Sequence, residues 1–232
     1  NVEVVAKTLE SKQDCVDWLT WTFFYRRLTQ NPNFYNLTEI SGNAINEYLS
    51  ELVEAAVEEL EKANCLSCEN DLDLSPANLG IIASYYNIKP ATIDIFVKTL
   101  NDKSKTRQLL EVISMSLEFE RVQVRHGEED ILKSLAAEVK YKPSRAVFNE
   151  PTAKTLLLLQ CHFSRIPLPS DLIFDSELIL DVAYNLILSA VDVLSSNCWL
   201  KPALMAMQLS QSLVQAMWTT DSPFFQLPSF TT

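Results

Sequence analysis

The stretch CLSCENDLDLSP, residues 65–76, decides the fold of the first part of the chain. It departs from the helical period, and Glu69-Asn70-Asp71 has the composition of a turn between two very short strands. The preceding residues 42–63 repeat apolar side chains at spacings of three and four, with glutamates on the other face. We therefore expect a long amphipathic helix that leads into a small β wing.

Two further helices are predicted before this one. Residues 2–10 have the pattern of the end of a helix, and Ser11 can cap a second helix that runs to about Gln30, where Asn31-Pro32 ends it. Three helices followed by two short strands predict a winged-helix portion over residues 1–75. We expect Trp18, Trp21, Phe23 and Phe24 to pack in its core, where Trp18→Ala would cost about 3–5 kcal/mol.

Proline at the first turn of a helix recurs through the rest of the chain. Ser75-Pro76 pairs an N-cap residue with such a proline, and Lys89-Pro90, Glu150-Pro151 and Lys201-Pro202 repeat the pattern. Apolar periodicity and short loops predict a helical bundle over residues 76–220. Its helices are expected at 76–87, 90–100, 105–117, 127–140, 151–165, 171–196 and 201–219. The fold class is therefore all-α apart from one small wing.

Composition excludes several classes of protein. The 232 residues are 47% hydrophobic and contain only three glycines, Gly42, Gly80 and Gly127. No glycine-rich loop for a dinucleotide or a phosphate can be written from them, so neither a cofactor nor a small-molecule substrate is expected. No run approaches the roughly 18 apolar residues of a membrane span. An independent enzyme is the least favoured of the function classes.

Charge is unevenly distributed along the chain. The net charge is −11, and residues 39–73 hold ten acidic groups against Lys62 alone. Residues 98–165 are mildly basic, and the basic-patch candidates for RNA contact are Lys98, Lys103, Lys105 and Arg107. Because a nucleic-acid binder normally has the opposite charge balance, we expect RNA binding to be weak or absent.

The cysteines and histidines do not point to catalysis or to a metal. The five cysteines are an odd number, and several lie in apolar patterns, which favours a reducing compartment. Structural zinc needs four ligands, and no second pair follows Cys65 and Cys68. His162 is expected to be a hydrogen-bonded core residue.

An aromatic tail ends the sequence over residues 221–232. Four large apolar side chains lie in it, and they either fold back on the bundle or dock on another surface, with folding back favoured. These docking-tail candidates are Phe224, Phe225, Leu227 and Phe230.

Five long segments carry a resemblance to a known family. They resemble the winged-helix segment and the Sec sixty-three homology unit in the second, C-terminal cassette of the large spliceosomal RNA helicases, the two-hundred-kilodalton subunits of the U-five small nuclear ribonucleoprotein. The segments are DWLTWTFFYRRLTQNPNFYNL (17–37), LSELVEAAVEELEKANCLS (49–67), NLGIIASYYNI (78–88), KTLLLLQCHFSR (154–165) and DVLSSNCWLKPALMAMQLSQSLVQAMW (192–218).

The resemblance implies a fold and a function. The bundle would be of the ratchet type, and the chain would be a fragment whose motor domains, with ATP and Mg, lie upstream and whose tail leads toward a helix-hairpin-helix domain. In the family the second cassette is a degenerate ATPase that serves as a docking platform. The fragment would then be a non-catalytic scaffold in nuclear pre-mRNA splicing, with other domains of the helicase and spliceosomal proteins as partners. The alternative is an RNA-guiding element that contacts a single strand.

Two features of the sequence depart from the family pattern, one at a single position and one along a helix. Cys198 stands where the family has a glycine, so we expect Asn197 to take the left-handed conformation at that helix end. The ratchet helix would face RNA with Asp181, Asn185, Leu188 and Asp192, and no Lys or Arg occurs between Arg165 and Lys201. Without cations toward the strand, we expect this helix to have lost its grip on RNA and to act as a rigid strut.

Overall fold

A computed structural model describes residues 1–37, 41–143 and 148–227. These residues form eleven α-helices and one two-stranded sheet, which confirms the predicted fold class. The chain divides into two compact units, residues 1–85 and 86–232. The elements are α1 (Val2–Val5), α2 (Lys12–Thr20), α3 (Phe23–Gln30), α4 (Gly42–Lys62), β1 (Leu66–Glu69), β2 (Asp73–Pro76), α5 (Asn78–Tyr85), α6 (Pro90–Thr99), α7 (Thr106–Ser114), α8 (Glu128–Glu138), α9 (Pro151–Ser164), α10 (Ser170–Ser196) and α11 (Leu200–Gln215).

The wing of the first unit forms as predicted. Strands β1 and β2 pair antiparallel, with Leu66 opposite Pro76 and Cys68 opposite Leu74. Asn70 and Asp71 make the turn in the left-handed conformation, which asparagine and aspartate tolerate better than most residues. Because side chains alternate across a strand, Leu66 and Cys68 lie on one face, toward the core cluster that contains buried Leu66.

The helix predicted over residues 11–30 is two helices. Ser11 and Asp14 cap α2 reciprocally, since each side chain accepts a hydrogen bond from the other's backbone amide, at 3.1 and 2.9 Å. Thr22 takes an extended conformation, and its hydroxyl donates to the carbonyl of Leu19 at 2.6 Å. This local bond lies at the break between the two helices, and α3 starts at Phe23.

The expectation that four aromatic side chains lie in the core is wrong for three of them. Phe24 packs against a buried cluster around Leu28, but Trp21 and Phe23 are 87% and 86% exposed, and Trp18 is 39% exposed. The interruption between α2 and α3 turns Trp21 and Phe23 toward solvent. Because the ring of Trp18 is only partly buried, we expect Trp18→Ala to cost less than the value for a fully buried ring.

The second unit is built around α9 and α10. Ten of the fourteen residues of α9 are buried, and this helix contacts α7, α8, α10 and α11. Helix α10 has 27 residues and packs along α11. It has the length and mean hydropathy of a membrane span, but half of its most apolar 18-residue window is buried within the bundle, as in the core helix of a globular domain.

The end of α10 differs from the sequence-based expectation. Asn197 keeps a φ of −85°, and Cys198 takes the left-handed conformation with a φ of 60°. The Asn197 side-chain amide donates to the carbonyl of Val193 at 2.9 Å, and the Trp199 amide donates to Leu194 at 3.0 Å. Asn197 thus caps α10 with a right-handed backbone, and Cys198, for which the resemblance implies a glycine, takes the left-handed conformation that glycine favours.

Candidate interaction site

Helix α10 carries the predicted ratchet-helix residues on its surface. Asp181 and Asn185 are exposed, whereas Leu188 and Asp192 are half-buried. The Asp192 carboxylate accepts a hydrogen bond from the Tyr86 hydroxyl at 2.8 Å. This face offers carboxylates, an amide and an aliphatic group, and it contains no cation that would attract a phosphate backbone.

Three of the four basic-patch candidates line one groove of the second unit. Lys103, Lys105 and Arg107 border a cavity of about 470 Å³, together with Glu111. Its other lining residues are Thr99, Gln108, Val112 and Met115. Lys98 does not line this groove and pairs with Asp94 on α6.

Local partners reduce the positive charge of this groove. The Arg107 guanidinium pairs with Glu111 at 3.0 Å and donates to the carbonyl of Lys142 at 3.2 Å. Glu111 also borders a neighbouring cavity of about 380 Å³, which includes Glu150 in its lining. The groove therefore has the shape of a binding site but a mixed electrostatic character.

The Arg165 side chain connects the described part of the tail to the bundle. The Arg165 guanidinium donates to the carbonyls of Ala216 at 2.8 Å and Gln215 at 3.2 Å at the end of α11, and to the carbonyl of Phe225 at 2.9 Å. The backbone of the tail thus folds back as far as Phe225.

The tail's apolar side chains gain little cover from this contact. Phe225 is half-buried, whereas Phe224 and Leu227 are exposed. Phe230 lies outside the described residues. The folded-back backbone therefore still presents an apolar surface at Phe224 and Leu227.

A buried ion cluster was not found from the sequence. Lys154 has no exposed surface, and its ammonium group contacts Glu128 at 2.6 Å and Asp175 at 2.7 Å. It also donates to the carbonyl of Gln123 at 3.1 Å, so all three of its protons have partners. Arg125 completes the cluster with contacts of 2.8 Å to both carboxylates. The available signal in the sequence was a lysine two residues before the apolar run of α9, which begins at Leu156.

The cluster joins the N-terminal parts of α8, α9 and α10 around two carboxylates. Burial alone would raise the pKa of Asp175, but hydrogen bonds from Lys154 and Arg125 outweigh it and hold that pKa below its usual value. Burial acts on Glu128 in the same way, and bonds from Lys154 and Arg125 likewise lower its pKa. Both carboxylates are therefore ionised in the folded state at neutral pH.

The lowered pKa values predict that acid destabilises the second unit. A carboxylate with a folded pKa below its unfolded pKa stabilises the fold fully above the unfolded value of about 4, and this contribution disappears as the pH falls toward the folded value. We expect urea unfolding midpoints of the wild type to be level from pH 7 to about 5 and to fall below that. In the double variant Glu128→Gln with Asp175→Asn, the midpoint should fall less steeply below about pH 5. An equally steep fall in that variant would mean that these two carboxylates do not cause the loss of stability in acid.

The histidine and cysteine side chains that could have been catalytic or metal-binding are explained by packing and hydrogen bonding. The His162 ring nitrogen Nε2 lies 2.8 Å from the carbonyl of Leu213, as expected for a hydrogen-bonded histidine. Burial raises the pKa of the Cys161 thiol to about 11. Within residues 1–37, 41–143 and 148–227, no three His, Cys, Asp or Glu side chains group as metal ligands.

Comparison with known proteins assigns both parts of the chain to families. Residues 76–232 match the Sec63 Brl domain family, and residues 1–70 match a family described as a winged helix-turn-helix domain. The chain is 52% identical over 231 residues, all of its length, to the U5 small nuclear ribonucleoprotein 200 kDa helicase of Homo sapiens. It is 52% identical over 235 residues, 99% of its length, to the Drosophila melanogaster protein of that name.

A relative with another name is similar over nearly the same length. The activating signal cointegrator 1 complex subunit 3-like protein of Dictyostelium discoideum is 48% identical over 229 residues, 98% of this chain. The chain spans only 10–11% of the length of these three relatives. The chain belongs to the Sec63 Brl domain family and carries a winged helix-turn-helix domain before it.

Proposed function

We propose that this chain is a non-catalytic accessory region of a spliceosomal RNA helicase that docks proteins and regulates the helicase from within. ATP and Mg would bind to motor domains elsewhere in the parent protein, which would act in pre-mRNA splicing in the nucleus. Its partners would be other domains of the helicase and spliceosomal proteins. The names of the relatives and their identity over the whole chain support this assignment.

The single observation that carries the scaffold role is the surface chemistry of α10. A helix that grips a nucleic acid places cations toward the phosphates, because release of their counterions is the main source of nonspecific affinity. The exposed Asp181 and Asn185 offer none, and Asp192 is already bonded to Tyr86. The long α10 therefore suits packing and support better than a hold on RNA.

The groove of the second unit favours a second candidate function. Lys103, Lys105 and Arg107 converge on one cavity, and three cations at one site could guide a single RNA strand past the motor. The pairing of Arg107 with Glu111 weakens this candidate, since a paired guanidinium must lose its partner before it binds phosphate. The two functions differ in which substitutions change the RNA affinity of the intact protein.

RNA binding by the intact protein distinguishes the two functions. With a fluorescent 20-nucleotide oligouridine, we expect Asn185→Ala and the pair Lys103→Glu with Lys105→Glu to leave the Kd within twofold of the wild type. Asp181→Arg with Asn185→Arg should strengthen binding and steepen the salt dependence, because it adds cations to the face of α10. Asn43→Arg with Glu47→Arg adds the same charge at the same spacing on α4 and serves as the control.

Two results would overturn the scaffold role. A several-fold loss of affinity in Asn185→Ala would mean that α10 contacts RNA. A several-fold loss in the Lys103 and Lys105 pair, with a salt slope smaller by about two, would establish the RNA-guiding function instead. Equal gains from the α10 pair and the α4 control would mean that added charge alone raises the affinity.

A further inference from the structure

The first unit exposes three large aromatic side chains between the end of α2 and the turn after α3. Trp21 and Phe23 are almost fully exposed, and Phe34, in the turn after α3, is 63% exposed. We call Trp21, Phe23, Arg26, Arg27 and Phe34 the aromatic–arginine surface. A folded protein in water seldom leaves several such rings uncovered in one region, and exposed patches of this kind mark interaction sites.

Helix α3 arranges this surface by its periodicity. Arg26, Arg27 and Gln30 follow Phe23 at spacings of three, four and seven, so they share its face. Leu28 is fully buried. The helix therefore turns one side to the core and presents an aromatic ring beside two guanidinium groups on the other.

The two arginines form a cationic island in an acidic unit. No acidic residue occurs between Asp17 and Glu39, whereas residues 1–85 as a whole hold fourteen acidic and five basic side chains. The Arg27 guanidinium lies 4.9 Å from the centre of the Phe34 ring, which keeps it extended over the aromatic surface. The surface thus combines rigid aromatic area with positive charge.

We propose that the aromatic–arginine surface docks a folded protein partner whose surface offers an apolar pocket bordered by carboxylates. This inference rests on the proposed docking function and specifies one of its surfaces. Aromatic residues and arginine dominate the binding energy of protein interfaces, where an aromatic anchor fills a pocket. Phe23 and Trp21 are the anchors, and Arg26 and Arg27 select the acidic border.

Charge favours a protein over RNA at this surface. Aromatic rings with arginine also suit stacked bases, but a polyanion must approach a unit whose acidic groups outnumber its basic groups nearly threefold. A partner that presents only a few carboxylates at the contact meets Arg26 and Arg27 without that long-range repulsion. RNA is therefore an outcome of the test that would overturn the proposal.

Site-specific photocrosslinking in the intact, assembled protein tests the proposal. The crosslinking residue p-benzoylphenylalanine replaces Phe23, where exposure of 86% allows the larger ring, and in a second variant it replaces Trp21. Glu58, exposed on α4, is the control position. We expect adducts from positions 23 and 21, but not from 58, to one defined peptide that contains apolar residues and Asp or Glu.

Charge variants complete the experiment. Arg26→Glu should lower the yield of crosslinked adduct from position 23 at least fivefold. Lys62→Glu also reverses one exposed cation of this unit, and it should leave that yield unchanged. Adducts to RNA, adducts to a basic peptide, or yields no higher than at position 58 would each overturn the proposal. If the RNA-binding results for α10 and the groove still hold in that case, only this docking surface is wrong and the scaffold role stands.

Discussion

Lys154→Met should lower the free energy of unfolding of the second unit by about 3–5 kcal/mol, because it leaves two buried carboxylates without their central cation. Glu128 and Asp175 are both within 2.7 Å of the Lys154 ammonium. Arg125 remains beside them, but its guanidinium is half exposed and cannot occupy the space of the ammonium. Urea unfolding followed by circular dichroism measures the loss.

Lys133→Met is the matched control for this substitution. Lys133 also pairs with a carboxylate, Asp130 at 2.9 Å, but both side chains are at the surface, where such a pair contributes at most about 1 kcal/mol. Lys154→Met combined with Glu128→Gln and Asp175→Asn should recover much of the stability, because the uncompensated charges are gone. Equal losses from Lys154→Met and Lys133→Met would refute the role of the cluster.

Gly80→Ala should destabilise the first unit by roughly 3 kcal/mol, because helix α5 has no room for a side chain there. A Cβ atom on Gly80 would lie 1.9 Å from the carbonyl oxygen of Cys65 and 2.8 Å from Oδ1 of Asn1. The Cys65 oxygen belongs to the backbone and accepts a hydrogen bond from Ala77 at 3.1 Å, so it cannot move alone. Either α5 or the start of β1 must shift.

Gly42→Ala provides the comparison for this glycine. Nothing lies within 4 Å of a Cβ at Gly42, the first residue of α4, and alanine is the better helix former. In thermal unfolding, the Tm of Gly42→Ala should therefore equal or slightly exceed that of the wild type, and the Tm of Gly80→Ala should lie well below it. If Gly80→Ala has the same Tm as the wild type, α5 and β1 do not approach each other this closely.

Local patterns predict the elements of this fold but not the side to which every residue turns. The wing follows from a turn signal, and α6 and α9 begin at the predicted prolines, because each of these signals lies within a few residues. Pro76 is an exception, since it ends β2 and α5 begins two residues later. The break at Thr22 depends on one hydroxyl bonded to Leu19, and the apolar pattern continues across it. The exposure of Trp21 and Phe23 follows from that break, so sequence periodicity assigned them to the core.

Long-range contacts explain what the sequence did not reveal about the candidate sites. Lys154 meets Glu128 and Asp175 across 26 and 21 positions of the chain, and no local spacing encodes that meeting. Lys103, Lys105 and Arg107 border one groove because they are neighbours in sequence, whereas Lys98 belongs to α6 and pairs there. The four predicted residues of α10 share one face because one long helix keeps its register, and their relation to RNA stays a prediction.

The two contacts of α10 have a mechanical consequence. Asp175 is held by Lys154 and Arg125, and Asp192, seventeen residues later, is held by Tyr86. At 1.5 Å per residue these points lie about 26 Å apart along an α-helix, and at 100° per residue they lie on different sides of it. A rod fixed in this way resists both bending and rotation about its axis. While both contacts hold, α10 therefore moves as one rigid piece with the segments that anchor it.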